Sequence, residues 1–385
     1  MMHRRRRAFP LLGRPGSGEP SGIIVIDKPQ GVTSHDVVAA VRSVLHLRRV
    51  GHAGTLDPMA TGALVVGFGQ ATRLLNYIVD HDKTYEATIR LGQTTDTDDA
   101  DGRIMACVPV VLADGRDDMS VSSLGVSAEG DEGRPLAAVG SGAAMHTVSR
   151  ELIERVISSR LTGDIKQVPS KYSAIKVNGR RAYDLARSGE QVELKARDVT
   201  IDEFTVLDAA MKEAVAGNVQ GQHGVRTSVV DVSVRVVCSA GTYIRSLGRD
   251  LGELLGVGGH LVSLRRTRIG KFGVAGRSVV RASAEPRSFT DRQGENVTRN
   301  RAVLPVDREE LLARSLSMLE VVKAIMPVLR INDDEARGLR YGRRLERPVN
   351  GLCAAYVPDA GGEVVALLEP VGPHECKPAV VFPPQ

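Results

Sequence analysis

Gly51-His52-Ala53-Gly54-Thr55-Leu56-Asp57-Pro58-Met59-Ala60-Thr61-Gly62-Ala63-Leu64 holds three glycines, a histidine, two threonines and an Asp-Pro step within fourteen residues. An apolar-periodic segment precedes it and the apolar run Ala63–Phe68 follows. Glycines at this density mark tight turns or close approach of the backbone to something else. Pro58 pushes Asp57 away from the helical region toward an extended or turn conformation. Asp57 is therefore expected on a constrained loop, its carboxylate aimed by the backbone. The stretch lacks the terminal Gly-Lys-Ser/Thr of a phosphate-binding loop, and its glycines do not sit as in a dinucleotide fingerprint. From residue types alone it is a structural turn, since Asp-Pro and Gly-Thr are ordinary turn chemistry.

At 385 residues the chain is long enough for about two domains. Its charged fraction of 25% and hydrophobic fraction of 42% are those of a globular protein. Aromatics make up 3% and Trp is absent, so any base-stacking role falls on a few Tyr, Phe and His. The net charge of +5 suits a polyanionic partner without singling one out. Cys107, Cys238, Cys353 and Cys376 are far apart and form no metal-type spacing, so free thiols in a reducing, cytoplasmic setting are expected. No run approaches the ~18 apolar residues of a membrane span. Arg4–Arg7 are followed by no adequate apolar segment, which argues against a signal peptide. Residues 1–20 read as a disordered basic arm.

Along the chain, the β-branched run 22–27 predicts a buried strand, and Lys28-Pro29-Gln30-Gly31 a turn. Ser34 is the expected N-cap of a helix carrying Val37, Val38, Val41 and Leu45. Residues 83–92 alternate, with Tyr85, Ala87, Ile89 and Leu91 on one face. The acidic stretch 94–102 lacks the glutamate and flanking helices of a calcium loop and reads as structural. Residues 107–147 show no periodicity and look like an insertion, as do 207–229. Helical spacing resumes at Leu152–Leu161, and a second helix is expected around Tyr183, Leu185 and Ala186. Residues 229–238 alternate as a strand, and Ile244, Leu247, Leu251, Leu254 and Leu255 form a helix stripe with Arg245 off it. The polar stretch 281–303 reads as a linker or long loop. From about 326 a small unit of short strands and one short helix follows, with a hairpin turn at Gly361-Gly362.

Gly54-Thr55-Leu56-Asp57-Pro58 resembles the signature of the TruB family of RNA pseudouridine synthases. Other segments support the resemblance in order: Asp27–Gly31 with Thr33-Ser34, Gln167–Gly179, Gly241-Thr242-Tyr243-Ile244-Arg245 and His260–Phe272. In the segment at 167–179, Ser170 stands where the family often has proline. The resemblance covers roughly residues 20–275, and 326–385 more weakly. It implies an α+β fold: a mixed, largely antiparallel sheet in a catalytic domain over 21–320, then a β-rich, PUA-like RNA-binding domain over 326–385.

The activity implied is isomerisation of the uridine at position 55 in the T loop of tRNA. Asp57 would be catalytic, paired with Arg245. His52 would flip and replace the target base, Tyr85 would stack on the uracil, and Tyr243 and Leu264 would line its pocket. Outside the family context His52 is a turn histidine, Tyr85 a core residue and Arg245 a surface cation. Phosphate contacts are expected from Arg180, Arg181, Arg265, Arg266, Arg268 and Lys271, while Lys28 is expected to be structural. The reaction oxidises nothing and brings in no group, so no cofactor and no metal are expected. The base must leave its stack to be reached. The residues do not choose between attack of Asp57 on the sugar, attack on the base, and a glycal route. The expected partner is the T arm of tRNA, with a monomeric enzyme and no obligate protein partner. Two alternatives stand: a guide-RNA-dependent rRNA pseudouridine synthase subunit, and a tRNA-binding or tRNA-folding protein without required catalysis.

Overall fold

The computed structural model describes residues 18–113, 145–170, 172, 176, 177, 180, 181, 194–215, 226–276, 278–290, 294–358 and 362–384. The expectations for the basic arm up to residue 17, for 114–144 and 216–225, for the helix around Tyr183, Leu185 and Ala186, and for Gly361 lie outside these residues.

The β-branched run Gly22–Lys28 pairs antiparallel with Thr61–Phe68, Ile24 opposite Val66 and Ile26 opposite Leu64. These strands belong to a ten-stranded sheet. Its order is Val279–Arg281, Gly22–Lys28, Thr61–Phe68, Gly259–Ile269, Lys83–Leu91, Arg226–Cys238, Arg197–Val215, Gly163–Gln167. The pairings of Gly22–Lys28 with Val279–Arg281 and of Gly259–Ile269 with Thr61–Phe68 are parallel, and the other pairings along that order are antiparallel. The sheet is thus mixed and largely antiparallel, and the class is α+β. Tyr85, Ala87, Ile89 and Leu91 join Val230, Val232, Val234 and Val236 in one buried apolar face. Helices Ser34–Leu45, Arg150–Arg160 and Ile244–Leu254 lay their apolar stripes into the same core. The opposite face is polar there: Arg90 grips Asp231 in a bidentate pair at 2.7 and 2.8 Å.

Two local expectations change. Thr33, not Ser34, caps the first helix, in a capping box with Asp36. Ser34 is the first helical residue, and its hydroxyl is committed elsewhere. The polar stretch 281–303 is not a loop: Ser283–Thr290 and Asn296–Val303 form an antiparallel hairpin. Both its faces are largely exposed, so no apolar alternation betrays it, and its backbone ladder and cross-strand pairs hold it. The segment 207–229 is strand at both ends, since Arg197–Val215 and Arg226–Cys238 stay paired out to Val215 and Arg226.

The strands Val328–Arg330, Cys353–Val357, Glu363–Pro370 and Cys376–Val381 build a four-stranded sheet with the helix Asp333–Arg340 over its own core. A second cluster joins Ala354, Leu367 and Phe382 to Ile23, Val25, Ala63 and Val65 through the helix Met318–Ile325.

The central sheet parts where the loop of interest begins. Thr61–Phe68 meets Gly259–Ile269 only at Thr61/Arg265 and Gly62/Arg266, while its other end pairs with Val50–Ala53. Residues 54–60 span the gap. Gly62 has φ +102°, and a Cβ there would overlap the Arg266 carbonyl. Gly62→Ala is therefore expected to destabilise the fold by about 2 kcal/mol or more, read as a lower denaturation midpoint.

Candidate active site

The loop at 54–60 is held through its backbone. The Ala60 N–H donates to the Asp57 carbonyl at 3.1 Å, closing a turn over Asp57-Pro58-Met59-Ala60. The Ser34 hydroxyl donates to the Leu56 carbonyl at 3.1 Å and accepts from the Leu56 N–H at 2.9 Å. The Gly31 N–H donates to the Pro58 carbonyl at 2.8 Å. Lys28, fully buried, aims its ammonium at the carbonyls of Pro29, Val32 and Pro58 at 3.0, 2.8 and 3.4 Å. Burial pulls its pKa down to about 8, and the Asp57 charge opposes the fall. Arg266 is also buried, and its guanidinium donates to the carbonyls of Ala63, Thr55 and Gly54 at 2.8, 3.3 and 2.9 Å. The loop thus rests on two buried cations and a serine.

On this support the Asp57 carboxylate meets Arg245, with Oδ2 3.0 Å from Nε. The Asp57 side chain is 36% exposed and the Arg245 side chain 5%. A buried guanidinium must satisfy all its donors. Nη1 of Arg245 reaches the Thr97 carbonyl at 3.0 Å and Asp99 at 3.4 Å, and Nη2 reaches the Tyr172 carbonyl at 3.1 Å. Arg245 is therefore locked between two carboxylates, and one of them faces the solvent side. Tyr243 is the N-cap of the helix that carries Arg245. Its backbone is pinned by buried Gln167, whose amide donates to the Tyr243 carbonyl at 3.0 Å and accepts from its N–H at 2.8 Å.

The other expected residues separate. Tyr85 and Leu264 are each 7% exposed and share the core with Leu56 and Met59 of the loop. Burial raises the Tyr85 pKa, with Arg266 nearby opposing the rise. His52 lies on the strand Val50–Ala53 and meets His35 edge-on, ring centroids 5.6 Å apart. Burial first, then His35 and Arg266, lower the His52 pKa to about 4, so the ring is neutral near pH 7.

The basic cluster is corrected. Arg266 cannot meet phosphate, because its guanidinium is buried under the loop. Arg265 is half-buried in a bidentate pair with Asp27 at 2.9 and 2.8 Å. Arg268 is tied to Asp82 at 2.6 Å. Lys271 is exposed. Arg180 and Arg181 form a short strand against Lys176 and Val177, and the phosphate role expected of their side chains lies outside the described residues.

Beside the loop lies a groove of about 380 Å³, lined in part by Gln30, Met59, Thr61, Glu86, Leu264 and Arg265. Among the described residues no His, Cys, Asp and Glu are grouped to hold a metal ion. Sequence reasoning missed Asp99, Gln167 and the loop-holding roles of Ser34 and Arg266. Asp99 had a partial signal in its acidic turn, but the burial of Arg245 and its nearness to that turn are set by the tertiary structure. Gln167 had none, since an amide clamp on a backbone pair leaves no local pattern.

The depressed His52 pKa predicts a stability effect with a definite sign. Between pH 6.5 and about 4 the unfolded chain takes up a proton at this site and the folded chain does not, so stability falls as pH drops through that window. In urea titrations the loss between pH 7 and pH 5 is expected to be smaller in His52→Gln than in wild type. Equal losses in both would contradict the assignment.

Comparison with known proteins accounts for this arrangement. The family model for the TruB family pseudouridylate synthase N-terminal domain matches residues 42–126 and 123–244. The model for the tRNA pseudouridylate synthase B C-terminal domain matches 245–308, and that for the tRNA pseudouridine synthase II C-terminus matches 326–383. The tRNA pseudouridine synthase B of Bifidobacterium longum (strain NCC 2705) is 47% identical over 395 residues, covering 94% of this chain and 98% of its own. The protein of the same name from Thermobifida fusca is 43% identical over 362 residues, covering 94% and 98%. In fold, the chain resembles one in a solved H/ACA RNP bound to a substrate RNA containing 2′-deoxyuridine, with a TM-score of 0.55 at 22% identity, covering 94% of this chain and 85% of that one. With matched family models over most of its length and relatives above 40% identity from end to end, the chain belongs to the TruB family of pseudouridylate synthases.

Proposed function

We propose that the protein is a stand-alone tRNA pseudouridine synthase that isomerises the uridine at position 55 of the T loop. The observation that carries this reading is the Asp57–Arg245 pair: a partly exposed carboxylate, fixed by a buried guanidinium, on a loop whose backbone is fastened on both sides. Such a carboxylate can act on the ribose C1′ region without reorganising during the reaction. The bond from C1′ to N1 breaks, the uracil turns, and a bond from C1′ to C5 forms. The hydrogen on C5 leaves to solvent and N1 gains a proton, so atoms and electrons balance with no redox partner.

The uridine must leave its stack to reach Asp57. Tyr85 and Leu264, on the apolar wall beside Met59, suit one face of the flipped base. Neutral His52 suits the place the base vacates, since a neutral ring stacks without the cost of desolvating a charge. Tyr243, held by Gln167, sets the start of the Arg245 helix beside the same space. The described C-terminal unit serves in this reading as a further RNA contact, and the enzyme works as a cytoplasmic monomer.

Tritium release from an unmodified tRNA transcript carrying 5-tritiated uridine tests the reading, with no guide RNA, cofactor or metal added. Wild type is expected to release tritium and Asp57→Asn to release none, while tRNA affinity changes by less than about tenfold. Release by Asp57→Asn would remove Asp57 from the chemistry. Bound tRNA without release by wild type would favour the guide-dependent or binding-only alternatives. Arg245→Gln is expected to lower the saturated rate by about 100-fold or more with a smaller change in KM, since it acts through the placement of Asp57.

A further inference from the structure

We propose that the hairpin of Ser283–Thr290 and Asn296–Val303 is a second RNA-binding surface, in which Arg287 and Arg299 share the phosphate backbone of the substrate and Phe289 offers a stacking face. The proposal rests on the tRNA reading above and extends it to a part of the chain outside the basic cluster at 265–271.

Arg287 and Arg299 stand directly opposite each other across the ladder, and both are exposed. Like charges at opposed positions destabilise a strand pair. Among the described residues neither has an acidic side chain within ion-pair distance. Arg301, two pairs further along and on the same face, differs: it meets Asp36 at 2.8 Å and lies opposite Glu285. A phosphodiester between Arg287 and Arg299 would turn the repulsion into charge-assisted hydrogen bonding.

Phe289 lies on the same face, 37% exposed, with the guanidinium carbons of Arg299 and Arg301 6.0 and 5.9 Å from its ring centre. The chain has 13 Phe and Tyr residues and no Trp, so an aromatic left in solvent on a polar hairpin is not there to fill a core. Arginine interleaved with an exposed aromatic ring matches a nucleic-acid backbone with its bases. An acidic protein surface would use the charges and leave the ring unexplained.

The hairpin is also fastened to the active-site support. Arg301 is bound to the first turn of the helix Ser34–Leu45. The Asn300 amide lies 2.8 Å from where a Cβ on Gly31 would be, and the Gly31 N–H holds the Pro58 carbonyl. RNA bound on the hairpin is thus anchored to the segment that carries the loop of Asp57.

The test compares the full-length wild type with the pairs Arg287→Ala/Arg299→Ala and Arg287→Lys/Arg299→Lys. Filter binding of an unmodified tRNA transcript is measured from about 50 to about 200 mM salt. The alanine pair is expected to bind about 5- to 30-fold more weakly at low salt, and its log–log salt slope to be shallower by about 0.7 to 1.8, the loss of one or two phosphate contacts. The lysine pair keeps the slope. The thermal midpoint of the alanine pair is expected at or above that of wild type, because a like-charge pair is removed, and its saturated rate of tritium release is unchanged. Wild-type affinity and slope in the alanine pair overturn the proposal and leave the face to an acidic protein partner. A wild type that binds tRNA but releases no tritium defeats the isomerase reading instead, and the comparison of slopes still decides the hairpin.

Discussion

A guanidinium with almost no exposure holds a carboxylate that is about one-third exposed, and the centre of the molecule is arranged to make that pairing stable. Arg245 loses its hydration on folding, which is costly unless every donor finds an acceptor. The Thr97 and Tyr172 carbonyls and Asp99 supply acceptors on the buried side, leaving Nε for Asp57. Three remote segments must therefore meet at one arginine: the turn at 94–102, the chain near Tyr172, and the loop at 54–60. The sheet brings them together by placing Lys83–Leu91, which leads into the turn, between Arg226–Cys238, which leads to Arg245, and Gly259–Ile269.

The same economy appears beneath the loop. Arg266 reads in sequence as a cation available to RNA and Lys28 as a structural one, yet both are buried and donate to main-chain carbonyls of the loop or its flanks. A stretch with three glycines in fourteen residues has few side chains with which to brace its loop, so the loop's backbone is braced from outside. Long cationic side chains suit that task because each satisfies several carbonyls at once. Their charges also oppose that of Asp57: the carboxylate supports the protonated form of Lys28 against the depression that burial causes. RNA contact then falls to side chains that the core does not use, which is where the exposed arginines of the hairpin enter.

Much of the architecture was legible in the residues. The alternation at 83–92 and 229–238, the β-branched run at 22–27 and the stripe of the Arg245 helix each announce an element, because burial of one face imposes its period on the sequence. The constrained turn around Asp57 was equally plain from its glycines and its Asp-Pro step. The hairpin at 283–303 was not, since a ladder exposed on both faces needs no apolar period. The cap of the first helix slipped by one residue because Thr33 and Ser34 are chemically equivalent there. Only the packing shows that the serine is drawn off to Leu56.

What the sequence determined by itself was which residue types stand at which intervals. That suffices for the strands, the constrained loop and the membership of its family, since these depend on local periods and on motifs read in order. What the tertiary structure decided was the use of each charge. Arg245, Arg265, Arg266 and Arg268 look alike along the chain, but one holds a carboxylate at the site, one pairs with Asp27, one braces the loop and one is tied to Asp82. The physical reason is that the cost of a charge is set by its burial and by the partners within a few ångströms. Those partners come from remote segments, some of them more than 200 residues away, as when Arg265 reaches Asp27 across 238 positions and Arg266 reaches Gly54 across 212.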